Sequence, residues 1–347
     1  MVGNCIVPSR RNRVDRLDCL FSQTMPLRWA ERRLQVIEAD LAARSEMKFF
    51  EKFPRRLRQG PWCLGAKLFL VVVVAALPSL HRFAIATSSP TAEFTSSNST
   101  DHSMFASRLS NWSLCLRWWG ALHGTIVLLH MRYSHKSWWA MISFTMQSWT
   151  WMTFRYVAAA VEASFSPPAR LETPSLSLWH WIPSNDFSHQ LAVRALEGSS
   201  WVRETLRFPA LLQNTITVAV WWLALVPVVV ASSKPKHRKA FLKWNFSFFL
   251  VNVHLLNLPL AAADQLLIHP VRLFNWHDVW VAAVMAVTYL IFYLLVLDRV
   301  GLHFYIILSP RTWWCVVVYS LLLLAGVGLK FAWDWVTAIS VTQGWQL

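Results

Sequence analysis

The sequence predicts an all-α fold, a polytopic transmembrane helix bundle of six or seven spans behind a basic cytoplasmic amino-terminal tail. Three observations carry this. Several apolar runs reach the length, about 20 residues, that a helix needs to cross a bilayer. Of 347 residues, 55% are hydrophobic and 22 are Trp, more than a water-soluble domain needs for its core. The 33 Lys and Arg, against 18 Asp and Glu, lie mainly in the tail and in short segments beside apolar runs. That distribution follows the positive-inside rule and does not form a nucleic-acid footprint. The expected surroundings are a lipid bilayer, and an endomembrane and a plasma membrane fit equally.

Residues 1–60 form the tail, with Arg10, Arg11, Arg13 and Arg16 clustered early and Arg55, Arg56 and Arg58 just before the first apolar run. Thr24 and Pro26 can open a tail helix with Trp29, Leu34, Ile37 and Leu41 as its apolar stripe. So long a basic lead is wrong for a cleaved signal peptide, so the run at 62–86, containing LFLVVVVAALP, reads as a signal anchor. The unit it opens, 61–112, ends in a Ser- and Thr-rich exterior linker with two glycosylation sequons, at Asn98 and Asn111.

The membrane core is expected at 113–335. Its second span, 113–131, carries Arg117 and His123 and is the weakest, which makes the count six or seven. The third covers 138–163. An exterior loop at 164–212, rich in Pro, Ser and mixed charge, should hold one short amphipathic helix near 191–206. The fourth span, 214–231, is followed by Lys234, Lys236, Arg238, Lys239 and Lys243, a cluster that places this loop in the cytoplasm. The fifth lies within 243–264, the sixth at 279–297 and the seventh at 312–333, with Trp near the ends of the last two; 336–347 is a short tail.

Cys5, Cys19, Cys63, Cys115 and Cys315 show no paired spacing, so neither a disulfide framework nor a zinc site is inferred. The twelve His lack an HExxH pattern, and no metal or other cofactor is called for.

The fifth span holds the candidate site. His254, Asn257, Ala261 and Asp264 fall within an arc of about 80° on one helix face, the others carrying Phe, Val and Leu. Ionisable groups in hydrocarbon cost about 2.5 to 3.5 kcal/mol each, so they face other helices and often mark function. The third span is rich in hydroxyls over FTMQSWTWMTFRY, where Thr145, Ser148 and Met152 share a face. Counted from the cytoplasmic charges Lys136 and Lys243, Thr145 lies about 14 Å deep and His254 about 17 Å. A hydroxyl and an imidazole at one depth are the minimum for a nucleophile and its base. The structural alternative is that these groups bond to backbone carbonyls or neighbouring helices and hold the bundle together. Arg155 and Glu162 read as interface charges.

These motifs resemble a known family. FT-x-x-S-W-T at 144–150, with Thr153 and Tyr156, is similar to the FTNWSWTLLTLYF-type segment of rolling stone-like multi-pass membrane proteins. H-x-x-N-x-x-x-x-x-x-D at His254, Asn257 and Asp264 resembles their HSLNAVFLLGD segment, and FYIILSP at 304–310 their YPFLDLSSP segment. The resemblance covers about residues 113–333. Gln147 stands where that family has Trp and Ala263 where it has Gly; the tail, first span and exterior loop look like additions. A fainter similarity links His254 and Pro259 to the H-x-x-x-x-P of the androgen-induced hydrolases, which cleave fatty-acid esters with an intramembrane Thr and His. Their W-x-x-x-T-F segment aligns with 139–144, which puts Ser143 at the nucleophile position, or Thr145 when shifted.

Two expectations follow. One is a rolling stone-like membrane protein engaged in membrane organisation or in binding protein partners that the sequence leaves unidentified. The other is an intramembrane lipid-ester hydrolase acting on a fatty-acyl ligand. There Thr145, or Ser143 or Ser148, is the nucleophile, His254 the base, Asn257 the positioning or oxyanion group, and Asp264 a support.

Overall fold

In a computed structural model of the chain, residues 60–87, 103–134, 141–165, 186–232, 235–268, 271–298 and 308–342 are described, and among them every regular element is helical. The tail at 1–59 and Asn98 lie outside the described residues, whereas the backbone at Asn111 is helical. Helix α1 is Leu64–Thr87, α2 Ser103–Ser134, α3 Phe144–Phe165 and α4 Asp186–Thr205. Helix α5, Arg207–Ala219, runs through a π-helical stretch, Val220–Leu225, into α6, Val226–Ser232; the basic cluster then forms α7, Pro235–Asn245. Helix α8, Phe248–Val251, joins α9, Asn257–Leu267, through a second π stretch, Asn252–Leu256. Helix α10, Trp276–Phe292, ends in a third, Tyr293–Leu297, and α11 is Cys315–Thr342.

Five stretches are long and apolar enough to cross a membrane: Leu64–Thr87, Arg207–Ala231, Phe248–Leu267, Trp276–Leu297 and Cys315–Thr342. Their outward faces carry Leu68, Val71 and Val72 on α1 and Val317, Leu321 and Leu324 on α11, all exposed. Such side chains match a hydrocarbon surrounding, where burial against protein gains little. The chain is membrane-embedded on this ground.

Several boundaries differ from expectation. Helix α4 is longer than the short helix expected near 191–206. The expected exterior loop also gives up its last six residues, 207–212, to α5, which starts at Arg207. Arg207 is buried against Glu204, so a charge that looks like loop chemistry is paired and stays inside a helix. The expected linker is helical from Ser103, and the expected tail at 336–347 is helical through Thr342. Thr337 and Ser340 are buried there and extend the packed face past Trp333.

Helices α2 and α3 are brought close by Gly120 and Gly124, four residues apart on one face. A Cβ at Gly120 would collide with the Tyr156 ring, and one at Gly124 with the Thr153 hydroxyl. This small-xxx-small spacing lets two backbones approach in a bilayer. Trp149, wholly buried, fills the contact and donates its indole N–H to the Gly124 carbonyl at 3.2 Å. Around it Met146, Met152, Phe208, Leu211, Leu250 and Val253 form the main core.

The helix directions follow from paired contacts. Trp62 donates to Asp298 at 3.0 Å, while Trp280 donates to the Leu77 carbonyl at 3.2 Å, so α1 and α10 are antiparallel. His123 meets Asn252, and His130 meets Phe248, so α2 and α8 are antiparallel. Arg155 reaches the Arg203 carbonyl on α4 while Ser148 meets Thr217 on α5, so α3 runs antiparallel to the path through α4 and α5. The ion pair of Arg155 with Asp264 lies toward one end of the bundle, and that of Arg311 with Asp298, joined by Trp62, at the other.

Candidate functional site

The site begins with two prolines. Pro259 has no N–H, so it cannot close a helical bond to Leu255, and the chain instead forms a π turn in which the Asn257 N–H reaches back five residues to the Asn252 carbonyl. The Leu258 N–H turns to the Asn257 side-chain oxygen at 2.9 Å. The His254 carbonyl accepts instead from the Trp222 indole at 2.6 Å. Pro227 acts similarly on the facing helix, where the Val226 N–H reaches the Trp221 carbonyl through another π turn. Two widened turns thus meet, and π turns inside α-helices are frequent at functional sites.

Between them the His254 ring lies flat on Trp221, with centroids 3.6 Å apart and planes 14° from parallel. Trp221 is held by its own indole N–H on Asn245 at 2.7 Å. His254 is buried, and its Nδ1 has no hydrogen-bond partner among the described residues. Asn257 is fully buried; its oxygen serves Leu258, and its amide nitrogen has no partner among the described residues. One turn back, Asn252 bridges the His123 ring at 2.7 Å and the Phe248 carbonyl at 2.7 Å.

The hydroxyls of α3 are largely committed to backbone. Ser148, fully buried, donates to the Thr145 carbonyl at 2.7 Å and sits 3.3 Å from the Thr217 hydroxyl. Thr150 donates to Met146 and Thr153 to Trp149. Ser143 precedes the helix and accepts the Met146 N–H at 3.3 Å, the geometry of an N-cap. Thr145 is half-buried. It lies one turn before Ser148, and Trp221 lies one turn beyond Thr217, so on antiparallel helices Thr145 and Trp221 share a level. His254, stacked on Trp221, is at that level too. The ring contact of His254 is with Trp221, and the hydroxyl partner of Ser148 is Thr217.

Asp264 joins a different assembly. It pairs with Arg155, both buried, and Arg155 also donates to the Arg203 carbonyl at 2.9 Å. This corrects the reading of Arg155 and Glu162 as interface charges, for Glu162 instead meets Arg203 at 3.0 Å. Glu204 collects Arg207, Arg203 and Arg272; burial pushes its carboxyl up, but these three guanidiniums outweigh that and hold it at about 2. Arg272 clasps Asp278 with two N–H groups, at 2.7 and 2.9 Å. Burial works against its charge, but Asp278 and Glu204 prevail and its pKa rises. Asp278 also closes a capping box with Asn275 at the start of α10. Lys330 pairs with Asp334, which accepts the Phe274 N–H at 2.7 Å.

Among the described residues no three His, Cys, Asp or Glu stand together as a metal site. Sequence reasoning missed Trp221, Thr217 and the arginine network; Pro227 and Pro259 were the available signals for the π turns. In comparisons with known proteins, no family model, curated protein or solved structure matches this chain.

Proposed function

We propose that this chain is a seven-pass membrane protein of the rolling stone-like type, with a cytoplasmic amino terminus, that acts by organising the membrane or binding partners and not by turnover. The alternating helix directions support seven passes once α2 and α3 are counted with the five more apolar stretches. The orientation rests on the basic residues of the cluster at 234–243 and of the sequence before α1, both read by the positive-inside rule. The observation that carries the non-catalytic reading is the fate of the hydroxyls. Ser148, Thr150 and Thr153 donate to carbonyls of their own helix and Ser143 caps it, as structural hydroxyls do in packed membrane helices. Lipid extracts of cells with and without the protein test it: equal fatty-acid ester profiles are expected, and an ester that accumulates only in the cells lacking the protein would overturn it.

One observation favours the hydrolase as a second reading. His254 presents a buried ring nitrogen without a partner at the level of Thr145, in an apolar bundle where two π turns meet. There Thr145 would attack an acyl carbonyl, His254 would take its proton, and the Asn257 amide would donate to the oxyanion. A fluorophosphonate probe separates the two. Labelling lost in both Thr145→Ala and His254→Ala installs the hydrolase; no labelling of the unmodified protein removes it.

A further inference from the structure

The five cysteines look unrelated in sequence, yet the fold brings two of them together across nearly its full length. Cys63 opens α1 and Cys315 opens α11, and their sulfurs stand 3.8 Å apart. The approach is fixed on both sides. The Cys63 N–H donates to the Pro310 carbonyl at 2.9 Å, and its Sγ lies 3.4 Å from both the Thr312 carbonyl and the Ala66 N–H. Nearby, Phe69 meets Tyr319 at 5.4 Å, and Tyr319 donates to the Leu308 carbonyl at 2.6 Å. Cys63 is partly exposed and Cys315 is fully buried. Such a pair has an accessible thiol to meet an oxidant and a sheltered one to resolve it.

We propose that Cys63 and Cys315 form a redox-modifiable dithiol that staples the first described helix to the last. With hydrogen peroxide as oxidant, the Cys63 thiolate attacks one peroxide oxygen, the O–O bond breaks, and a sulfenic acid and hydroxide form. The Cys315 sulfur then attacks the sulfenic sulfur, the S–S bond forms, and the sulfenic oxygen leaves as water with the Cys315 proton. The hydroxide takes up the proton that Cys63 gave up on becoming a thiolate, so two thiols are oxidised and one peroxide becomes two waters. Bonding requires the sulfurs to close from 3.8 Å to about 2.05 Å. The inference stands on this geometry and not on the orientation or the activity proposed above.

The consequence concerns α1. Among the described residues this helix packs on α10 and α11 and exposes most of its apolar surface. A covalent tie at its first turn converts a helix held by noncovalent contacts into one joined to α11.

The test uses the full chain in membranes, with Cys5, Cys19 and Cys115 replaced by Ser so that two thiols remain. After peroxide, denaturation and labelling with a maleimide-linked polymer, the expected result is loss of both reactive thiols and their return with dithiothreitol. Peptide mass spectrometry should find the Cys63 peptide joined to the Cys315 peptide, lighter by two hydrogens. Adding Cys63→Ser should leave one thiol unreacted, whereas adding Cys315→Ser should trap a sulfenic acid that a dimedone probe captures. Mass spectrometry of the unsubstituted protein gives the same cross-linked peptide without dependence on any variant's folding. Both thiols remaining reactive after peroxide, or joining between chains and not within one, would overturn the proposal.

Discussion

Asp264 and His254 lie on one face of one helical path, about three turns apart, and meet opposite fates. Asp264 enters a network in which Arg155, Arg203, Arg207, Arg272, Glu162, Glu204 and Asp278 answer one another across α3, α4, α5 and α10. His254 stacks on the Trp221 ring and keeps a ring nitrogen without a partner among the described residues. Charge in low dielectric must be matched or it unfolds its surroundings, whereas a neutral imidazole can be stacked and left poised. The same stripe thus holds a fastening at one end and a candidate site in its middle.

The largest effect should come from breaking the fastening. Asp264→Leu leaves the Arg155 guanidinium buried without its carboxylate, and removing one partner of such a pair costs about 3 to 5 kcal/mol. Folded yield in detergent should collapse. The double variant Arg155→Met with Asp264→Leu should recover much of it, because an apolar pair of similar volume meets no desolvation penalty. If the double variant folds no better than the single one, the pair is not the source of the loss.

Next is the α2–α3 contact. Gly120→Ala pushes a methyl group into the Tyr156 ring, whose hydroxyl is held on the Leu260 carbonyl at 2.8 Å and so cannot swing away freely. Overpacking of this kind costs about 1 to 3 kcal/mol. Gly328→Ala, where a Cβ meets nothing within 4 Å, serves as the control and should melt like the parent protein. Equal melting of both variants would show that α2 does not depend on this close approach.

His254 should matter less to stability. His254→Ala removes a ring stacked at 3.6 Å, worth about 0.5 to 1.5 kcal/mol beyond area, and His254→Phe should restore most of that. If Phe restores the melting temperature and the ester profile of cells does not change, the ring is structural; if Phe restores melting alone, its nitrogen has chemical work to do.

How much of this was legible from residues divides along the same line. The apolar runs predicted the helical class and six or seven spans, of which five stretches are long and apolar enough to cross a membrane, and hydroxyl and imidazole spacing pointed to α3 and α8–α9. Helix ends were less readable where charge is paired. Arg207 sits beside Glu204 and extends α5 by two turns beyond the expected start, which no hydropathy window registers. The Gly120-xxx-Gly124 spacing and the prolines were visible in the chain, but their meaning needs a partner helix. No local pattern announces that Cys63 meets Cys315 or that Arg155 meets Asp264, because those contacts join residues more than a hundred positions apart.

The smallest effect expected is one of pH at the ionic end. Glu204 titrates at about 2 in the folded protein, below the ordinary value of 4.5, because Arg207, Arg272 and Arg203 overcome the cost of burial. The unfolded chain therefore binds a proton more readily at this position than the folded one does. The stability contributed by Glu204 is complete above about pH 4.5 and is lost as pH falls toward 2. Its carboxylate keeps about a third of its surface exposed, so screening reduces the effect, and high salt should reduce it further. Glu204→Gln should flatten the fall in melting temperature between pH 5 and pH 3 while leaving His254 stacking untouched. An unchanged slope in that variant would show that the acid-sensitive group is not Glu204.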